Sequence, residues 1–220
     1  MMFKFTNTCL PLLVLLLASI GSVSSSGTQN RRLGQRKNLR KYRDLTVAGL
    51  LTELSGTGGF DNDREDFDLL LALVDAAGLT DALDGGLDDI TVLAPNDKAF
   101  HRAAQEFGYT GDYNEETIFT YLANVVANVA PGTLEENLQF PIKYHLIDGA
   151  MRWQELSRSA GEELTTLCDC KITIKQRNNR ELVVKDATEP HPVIIYKDSN
   201  YRVKGGNYVH TITRMMIPKI

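Results

Sequence analysis

Few residues in this sequence are equipped for chemistry. Four histidines, His101, His145, His191 and His210, stand among 28 carboxylates. A nucleophilic triad needs a nucleophile, a histidine and an orienting acid held together in one pocket. Neither a Gly-x-Ser-x-Gly elbow nor a His-Glu-x-x-His zinc helix occurs in the sequence. A glycosidase needs two carboxylates across a cleft, but among so many acids some pair always meets that condition, so the pattern carries no information. The residues therefore point away from an enzyme. No catalytic, cofactor-binding or metal-ligating residue is expected.

The cysteines are more specific. Cys9 lies in an N-terminal apolar run, which leaves Cys168 and Cys170 as a C-x-C pair. In a strand their side chains would share a face with Cα atoms ~6.5 Å apart, near the upper limit for a disulfide. Two thiols alone are too few for a zinc site. The readings are ranked as a strained local disulfide, then an intermolecular bridge, then two free thiols. Asn96-Asp97 reads as a helix N-cap followed by a first-turn acid. The acidic runs Asp61 to Asp68 and Asp84 to Asp89 do not match an EF-hand loop, and only weak, non-specific cation association at a solvated face is expected of them.

The two ends set the compartment. Lys4, the apolar run Leu10 to Ile20 and the small residues Val23-Ser24-Ser25 read as a secretory signal peptide over residues 1–25. That run is well short of the ~20 residues that span a bilayer. No second one follows, so stable membrane insertion is not expected and the localisation is read as secreted, or extracellular. Within residues 26–44 the stretch from Arg31 to Arg43 holds seven basic residues and no acid, as in a disordered tail or a propeptide. From Asp44 onward 16 Lys and Arg face 28 Asp and Glu. Such a surface repels phosphate backbones, and nucleic-acid binding is excluded. The oxidising compartment disfavours free thiols at 168 and 170.

The elements that must position these residues follow from periodicity. Phe67, Leu70, Leu71, Val74 and Ala77 form one helical stripe, opened by acids and ended by Gly78. Ile90 to Ala94 is a short strand closed by Pro95. Asn96 caps a helix through Phe107, and Asn114 caps another with Ile118, Leu122 and Val125 inward. Thr133-Leu-Glu-Glu136 is a capping box for a shorter helix to about Gln139. After Pro141 the period changes. Tyr144 to Ile147 reads as a strand, Lys171 to Lys175 and Glu181 to Lys185 as a hairpin, Val193 to Tyr196 as a strand, and Tyr208 to Met216 as the last one. Helices gather in the first half and strands in the second, which argues for α+β.

Three segments resemble the signature of fasciclin-like (FAS1) domains. Thr91-Val-Leu-Ala-Pro-Asn-Asp-Lys-Ala-Phe100 resembles the first box, Tyr144-His145 the central Tyr-His motif, and Gly206-Asn-Tyr-Val-His-Thr-Ile-Thr-Arg-Met-Met-Ile-Pro218 the second box. The order and spacing agree, and the domain is placed at residues 45–220. The resemblance implies a wedge-shaped β-sandwich with helices packed at one side, and a secreted or surface-attached protein of cell adhesion and extracellular-matrix assembly, not an enzyme. Thr213 stands where an acid is usual in the second box, so any tie made by that acid must be absent or replaced. The segment His191 to Lys204 is longer than usual, which suggests a protruding hairpin or loop. Glu189-Pro-His-Pro is not read as an integrin motif.

The function read here is a secreted adhesion or matrix module that binds an extracellular protein or polysaccharide, with a homodimer plausible through an exposed strand edge. The alternative is a carrier of a small molecule or glycan in a pocket between sandwich and helices, and a hydrolase ranks last. Candidate interaction or motif residues are Tyr144, His145, His191, Tyr196, Tyr208 and His210. For His145 and His210 a buried structural tie is favoured over an adhesive contact. The likeliest contact surfaces are residues 189–204, whose deletion should leave a folded domain, and the loop Tyr109 to Tyr113.

Overall fold

A computed structural model of the chain describes residues 41–56, 59–129, 131–186, 189–195 and 198–218. The signal peptide, Cys9 and nearly all of the basic tail lie outside the described residues, as does Tyr196.

The helical half opens with α1 (Val47–Ser55), where the Thr46 hydroxyl accepts the Gly49 N–H at 3.0 Å and Leu50 and Leu51 are buried. Sequence reasoning passed over this helix, although its cap and its Val47, Leu50, Leu51 stripe are regular signals. The helices α2 (Asp68–Ala76), α3 (Asp97–Glu106) and α4 (Glu115–Val129) follow as expected. The Asn96 side chain accepts Ala99 N–H at 3.1 Å and Asn114 accepts Thr117 N–H at 2.9 Å, so both predicted caps form. Strand β1 (Ile90–Pro95) enters between α2 and α3 in sequence.

Helix α5 (Leu134–Tyr144) opens on the predicted Thr133–Glu136 capping box but continues through Pro141. Tyr144 is thus the last residue of a helix, not the first of a strand, and His145 is its C-cap. The helix carries on past its proline because Leu138, Ile142 and Tyr144 bury on either side of it. Strand β2 shrinks to Leu146–Asp148. A short helix α6 (Trp153–Arg158) and strand β3 (Glu163–Thr165) come next, neither of them expected. The hairpin β4 (Lys171–Asn178) and β5 (Glu181–Lys185), then β6 (Val193–Ile195), β7 (Tyr201–Arg202) and β8 (Tyr208–Ile212) complete the sheet.

All eight strands belong to one mixed sheet in the order β2-β1-β8-β6-β5-β4-β3, with β7 paired to β8. Among the described residues only β1 and β8 run parallel. The sheet curls until its end strands meet, through the Ile147–Thr166 bridge and a Leu167 N–H to Leu146 carbonyl bond of 2.8 Å. The two layers expected of a sandwich are the two halves of this nearly closed sheet.

Strand β1 is buried along its whole length and separates two cores. Val92 and Ala94 face the helices, with Leu50, Leu69, Phe100, Ile118 and Val209. Leu93 faces the interior of the curled sheet, with Ile147, Ile172, Ile174, Leu182, Ile194 and Ile212. The period-2 alternation of a strand places consecutive residues in different cores.

Candidate functional site

The three motif segments meet around β1 and β8, and their polar side chains tie the fold from within. His145 bonds the Pro141 carbonyl through Nδ1 at 2.8 Å and accepts the Met216 N–H at Nε2 at 2.9 Å. Its proton therefore sits on Nδ1. His210 bonds the Met151 carbonyl through Nε2 at 2.9 Å and accepts the Asn200 N–H at Nδ1 at 3.3 Å, the opposite tautomer. Both rings are buried, and desolvation pushes both imidazoles down to about 4. Tyr144 is buried against the inner core. Burial, with the Asp186 carboxylate nearby, pushes its phenol up to about 12. Asn207 accepts Ile90 N–H and donates to the Leu87 carbonyl, both at 2.9 Å, fastening the second box to the strand of the first. Gly205 and Gly206 make the turn before it at positive φ. A Cβ on Gly205 would fall 2.2 Å from Asp88 Oδ1.

His191 is not presented outward. Its Nδ1 lies 3.3 Å from Asp186 and its Nε2 2.9 Å from Glu189. The other Asp186 oxygen accepts Ile217 N–H at 3.0 Å. His145 and Asp186 thus hold the consecutive backbone N–H groups of Met216 and Ile217, and the last strand ends at Ile212, short of the expected Met216. Tyr208 is half-buried at the start of β8. Thr213, where the resemblance led to an acid being expected, makes ties of its own. Thr213 Oγ1 accepts Val193 N–H at 3.1 Å and its carbonyl accepts Arg102 Nη1 at 2.8 Å.

Residues 189–204 do not form a detachable loop. Strand β6 lies between β5 and β8 with Ile194 fully buried, and β7 pairs with β8. Deleting this segment would remove an interior strand, so the expectation that the domain folds without it is withdrawn. The Tyr109–Tyr113 loop also turns inward. Tyr109 Oη bonds the Asp112 carbonyl at 2.9 Å, Tyr113 Oη donates to Glu115 at 2.8 Å, and both rings pack on the helical core.

Cys168 and Cys170 lie not in a strand but in the turn before β4, with Asp169 at φ 59° between them. The turn brings their Sγ atoms to 2.6 Å. Burial and the neighbouring Cys168 push the Cys170 thiol up to about 11.

One cluster of ionisable groups was not visible as a unit in the sequence. The N-termini of α2, α3 and α4 converge on the loop 61–66. Asp97 Oδ1 accepts Leu69 N–H at 3.1 Å, and Asp97 N–H donates to the Asp66 carbonyl at 3.0 Å. Glu115 and Asn62 bond reciprocally, backbone to side chain, at 2.9 and 3.2 Å. Asp66, Asp68, Asp97 and Glu115 are all buried, and one oxygen each of Asp61, Asp66 and Glu115 lie within 4.8 Å of one another. Desolvation raises the affinity of Asp66, Asp97 and Glu115 for protons. Arg64 lies over the Tyr113 ring at 4.4 Å, and His101 packs edge-on against that ring at 5.2 Å. Glu115 is 49 residues from Asp66 in sequence, so no local pattern could have joined them.

The sequence profile of the fasciclin domain matches residues 65–218, which include all three motif segments. The chain belongs to the fasciclin domain family. The fold agrees. The structure of a FAS1 domain pair from the insect cell adhesion molecule fasciclin I superposes with a TM-score of 0.55 at 13% identity, over 80% of this chain and 51% of that one. The fasciclin chain described here therefore spans about half the length of that pair. No curated protein sequence matches it. Fasciclin domains are known in cell-adhesion proteins and occur in secreted or extracellular ones. Among the described residues no helix is long and apolar enough to cross a membrane.

Proposed function

We propose that this fasciclin domain is a secreted adhesion or matrix interaction module that binds an extracellular protein or polysaccharide through its surface and performs no catalysis. The observation carrying this reading is how the motif side chains are used. Asn96, Asp97, Tyr144, His145, Asn207 and His210 are all buried and bonded or packed within the fold. These residues specify the scaffold and leave recognition to the exterior. Among the described residues Phe107 and Phe140 are the large apolar side chains that stand exposed, at 46% and 41%. Aromatic side chains of this kind anchor protein contacts. Because the end strands of the sheet close on each other, edge-to-edge homodimerisation is a weaker mechanism than surface contact.

The test is solid-phase binding of the purified chain to native extracellular matrix. Saturable retention is expected, reduced in Phe107→Ser and Phe140→Ser variants that keep the wild-type melting temperature. Absence of retention, together with turnover in a broad hydrolase panel, would overturn the reading. The carrier alternative has less support. A cleft of about 280 Å³ is lined by Thr46, Leu83, Asp88 and Lys204, and another of about 250 Å³, between α3 and β8, by Lys98, Arg102, Thr211 and Ile212; both fall short of the ~300–1,000 Å³ of usual ligand pockets. A ligand co-purifying with the native protein would restore that alternative.

A further inference from the structure

The basic residues near the N-terminus come in pairs. Six of the seven between Arg31 and Arg43 stand side by side, as Arg31-Arg32, Arg36-Lys37 and Arg40-Lys41. From Asp44 onward there are 16 basic residues and no two of them are adjacent. A solvated charge run needs no such pairing. An endoprotease with acidic side chains in two neighbouring specificity pockets selects paired cations, as one acid at the base of one pocket selects a single cation. The pairs also lie where a cut spares the core. Between Ser26 and Arg40 the sequence offers only Leu33 and Leu39 for burial.

The structure divides the three pairs. Whether a bond can be cut depends on the burial and hydrogen bonding of the backbone around it. A protease holds its substrate as an extended strand across the scissile bond. The chain just past Lys41 is held in another shape. Lys41 Nζ lies 3.0 Å from Glu53, the Tyr42 ring meets Tyr201 edge-on at 5.6 Å, and the Tyr42 carbonyl accepts Leu45 N–H at 3.1 Å. The Leu45 carbonyl in turn accepts Lys204 N–H at 2.8 Å, and Thr46 caps α1. Four residues separate Lys37 from Tyr42, and nine separate Arg32 from it. In sequence those two pairs stand clear of the anchored turn, whereas the third abuts it.

We propose that Arg31-Arg32 and Arg36-Lys37 are processing sites for a paired-basic serine endoprotease of the secretory path, and that the docked turn 41–45 protects the third pair. The inference rests on the reading that the chain is secreted, not on what it binds. Water adds across the amide after Lys37. The hydroxyl goes to the Lys37 carbonyl carbon, which leaves as a carboxylate, and the proton goes to Asn38, which becomes the new α-amine. Cleavage after Arg32 frees Leu33 in the same way. Residues 26–220 carry 23 basic residues against 28 acidic, and residues 38–220 carry 19 against the same 28, so the net charge passes from −5 to −9. Processing removes four of the seven clustered cations that attract polyanions.

The experiment expresses the full chain, with its own N-terminus, in a eukaryotic host whose secretory path contains a paired-basic endoprotease. The protein in the medium is read by N-terminal sequencing and intact mass. A start at Leu33 or Asn38 is expected. Arg36→Gln with Lys37→Gln should leave only the Leu33 start, and adding Arg31→Gln with Arg32→Gln should leave the arm whole. Arg40→Gln should leave the products as they are in wild type. A secreted wild-type chain that begins before Arg31, or at Tyr42, would overturn the proposal, as would unchanged products from the fourfold variant. A chain kept inside the cells with residues 1–25 attached would sink the secreted reading and this proposal with it. The medium tells the two failures apart, because only the first leaves protein there.

Discussion

His145 Nε2 accepts the backbone N–H of Met216 at 2.9 Å, across 71 residues of chain. The bond is buried, and the same ring bonds the Pro141 carbonyl through Nδ1. One side chain thus terminates a helix and anchors the last described segment. His145→Ala would leave a buried donor and acceptor without partners and a cavity in the ring's place. Buried unsatisfied groups cost about 1–3 kcal/mol each, and cavities add to that. A loss of about 3 kcal/mol is expected in urea unfolding, and His210→Ala should behave alike through its Met151 and Asn200 bonds. A variant within 1 kcal/mol of wild type (about the span of a surface substitution) would show that the ring is dispensable.

Both imidazoles are neutral in the fold and pushed down to about 4, whereas free histidine titrates near 6.5. Below 6.5 the unfolded chain takes up protons that the folded chain refuses. The histidine contribution is complete above 6.5 and is lost as the pH falls from 6.5 through 4. Each pKa unit is worth ~1.4 kcal/mol, so each ring has a ceiling of about 3 kcal/mol over that interval. Between pH 7.5 and 4.5 the denaturation midpoint of the wild-type chain should lose ground relative to that of His210→Gln, a comparison in which the other titrating groups cancel. An equal pH dependence in the two would contradict burial of the neutral ring.

The buried acids act with the opposite sign. Desolvation and mutual repulsion raise the Asp66–Asp97 pair above the ordinary carboxylate range, so the folded chain binds protons that the unfolded chain releases. Their contribution is fully present below about 3.8 and is lost as pH rises through the folded-state values. Asp97→Asn keeps the Oδ1 acceptor for Leu69 N–H and removes one charge. At pH 8 it should stabilise the domain by roughly 1–2 kcal/mol, and the gain should vanish in acid. Destabilisation at pH 8 would mean that the pair carries its charge without cost.

Much of this fold is local and was therefore legible. The caps at Asn96, Asn114 and Thr133, the β4–β5 hairpin and the segregation of helices from strands all follow from short-range patterns. The misreadings share a cause. Pro141 and the apolar Tyr144-His-Leu-Ile147 run suggest a strand, but tertiary burial of Ile142 and Tyr144 carries α5 past the proline. Met215 and Met216 look like strand because they are apolar, yet side chains from residues 145 and 186 take the backbone bonds of the segment. The role of residues 189–204 as interior sheet depends on pairing to β5 and β8, which no window of sequence contains. The acid cluster is assembled from three helix ends for the same reason.

The turn at Cys168 and Cys170 supports the last prediction. Asp169 at φ 59° folds the chain so that the two Sγ atoms lie 2.6 Å apart, closer than the spacing of a strand favours. Both cysteines are half-buried beside the inner core, and each has the other as its nearest sulfur. Oxidation by a disulfide-exchange catalyst or oxidised glutathione should therefore join them to each other, with both thiol hydrogens and two electrons passing to the oxidant. Non-reducing mass spectrometry should find a monomer two hydrogens lighter after oxidation, with Cys168 and Cys170 protected from alkylation until reductant is added. A Cys168→Ser variant should remain monomeric under the same oxidant. Disulfide-linked dimers of the wild-type chain would transfer the pair to the intermolecular reading.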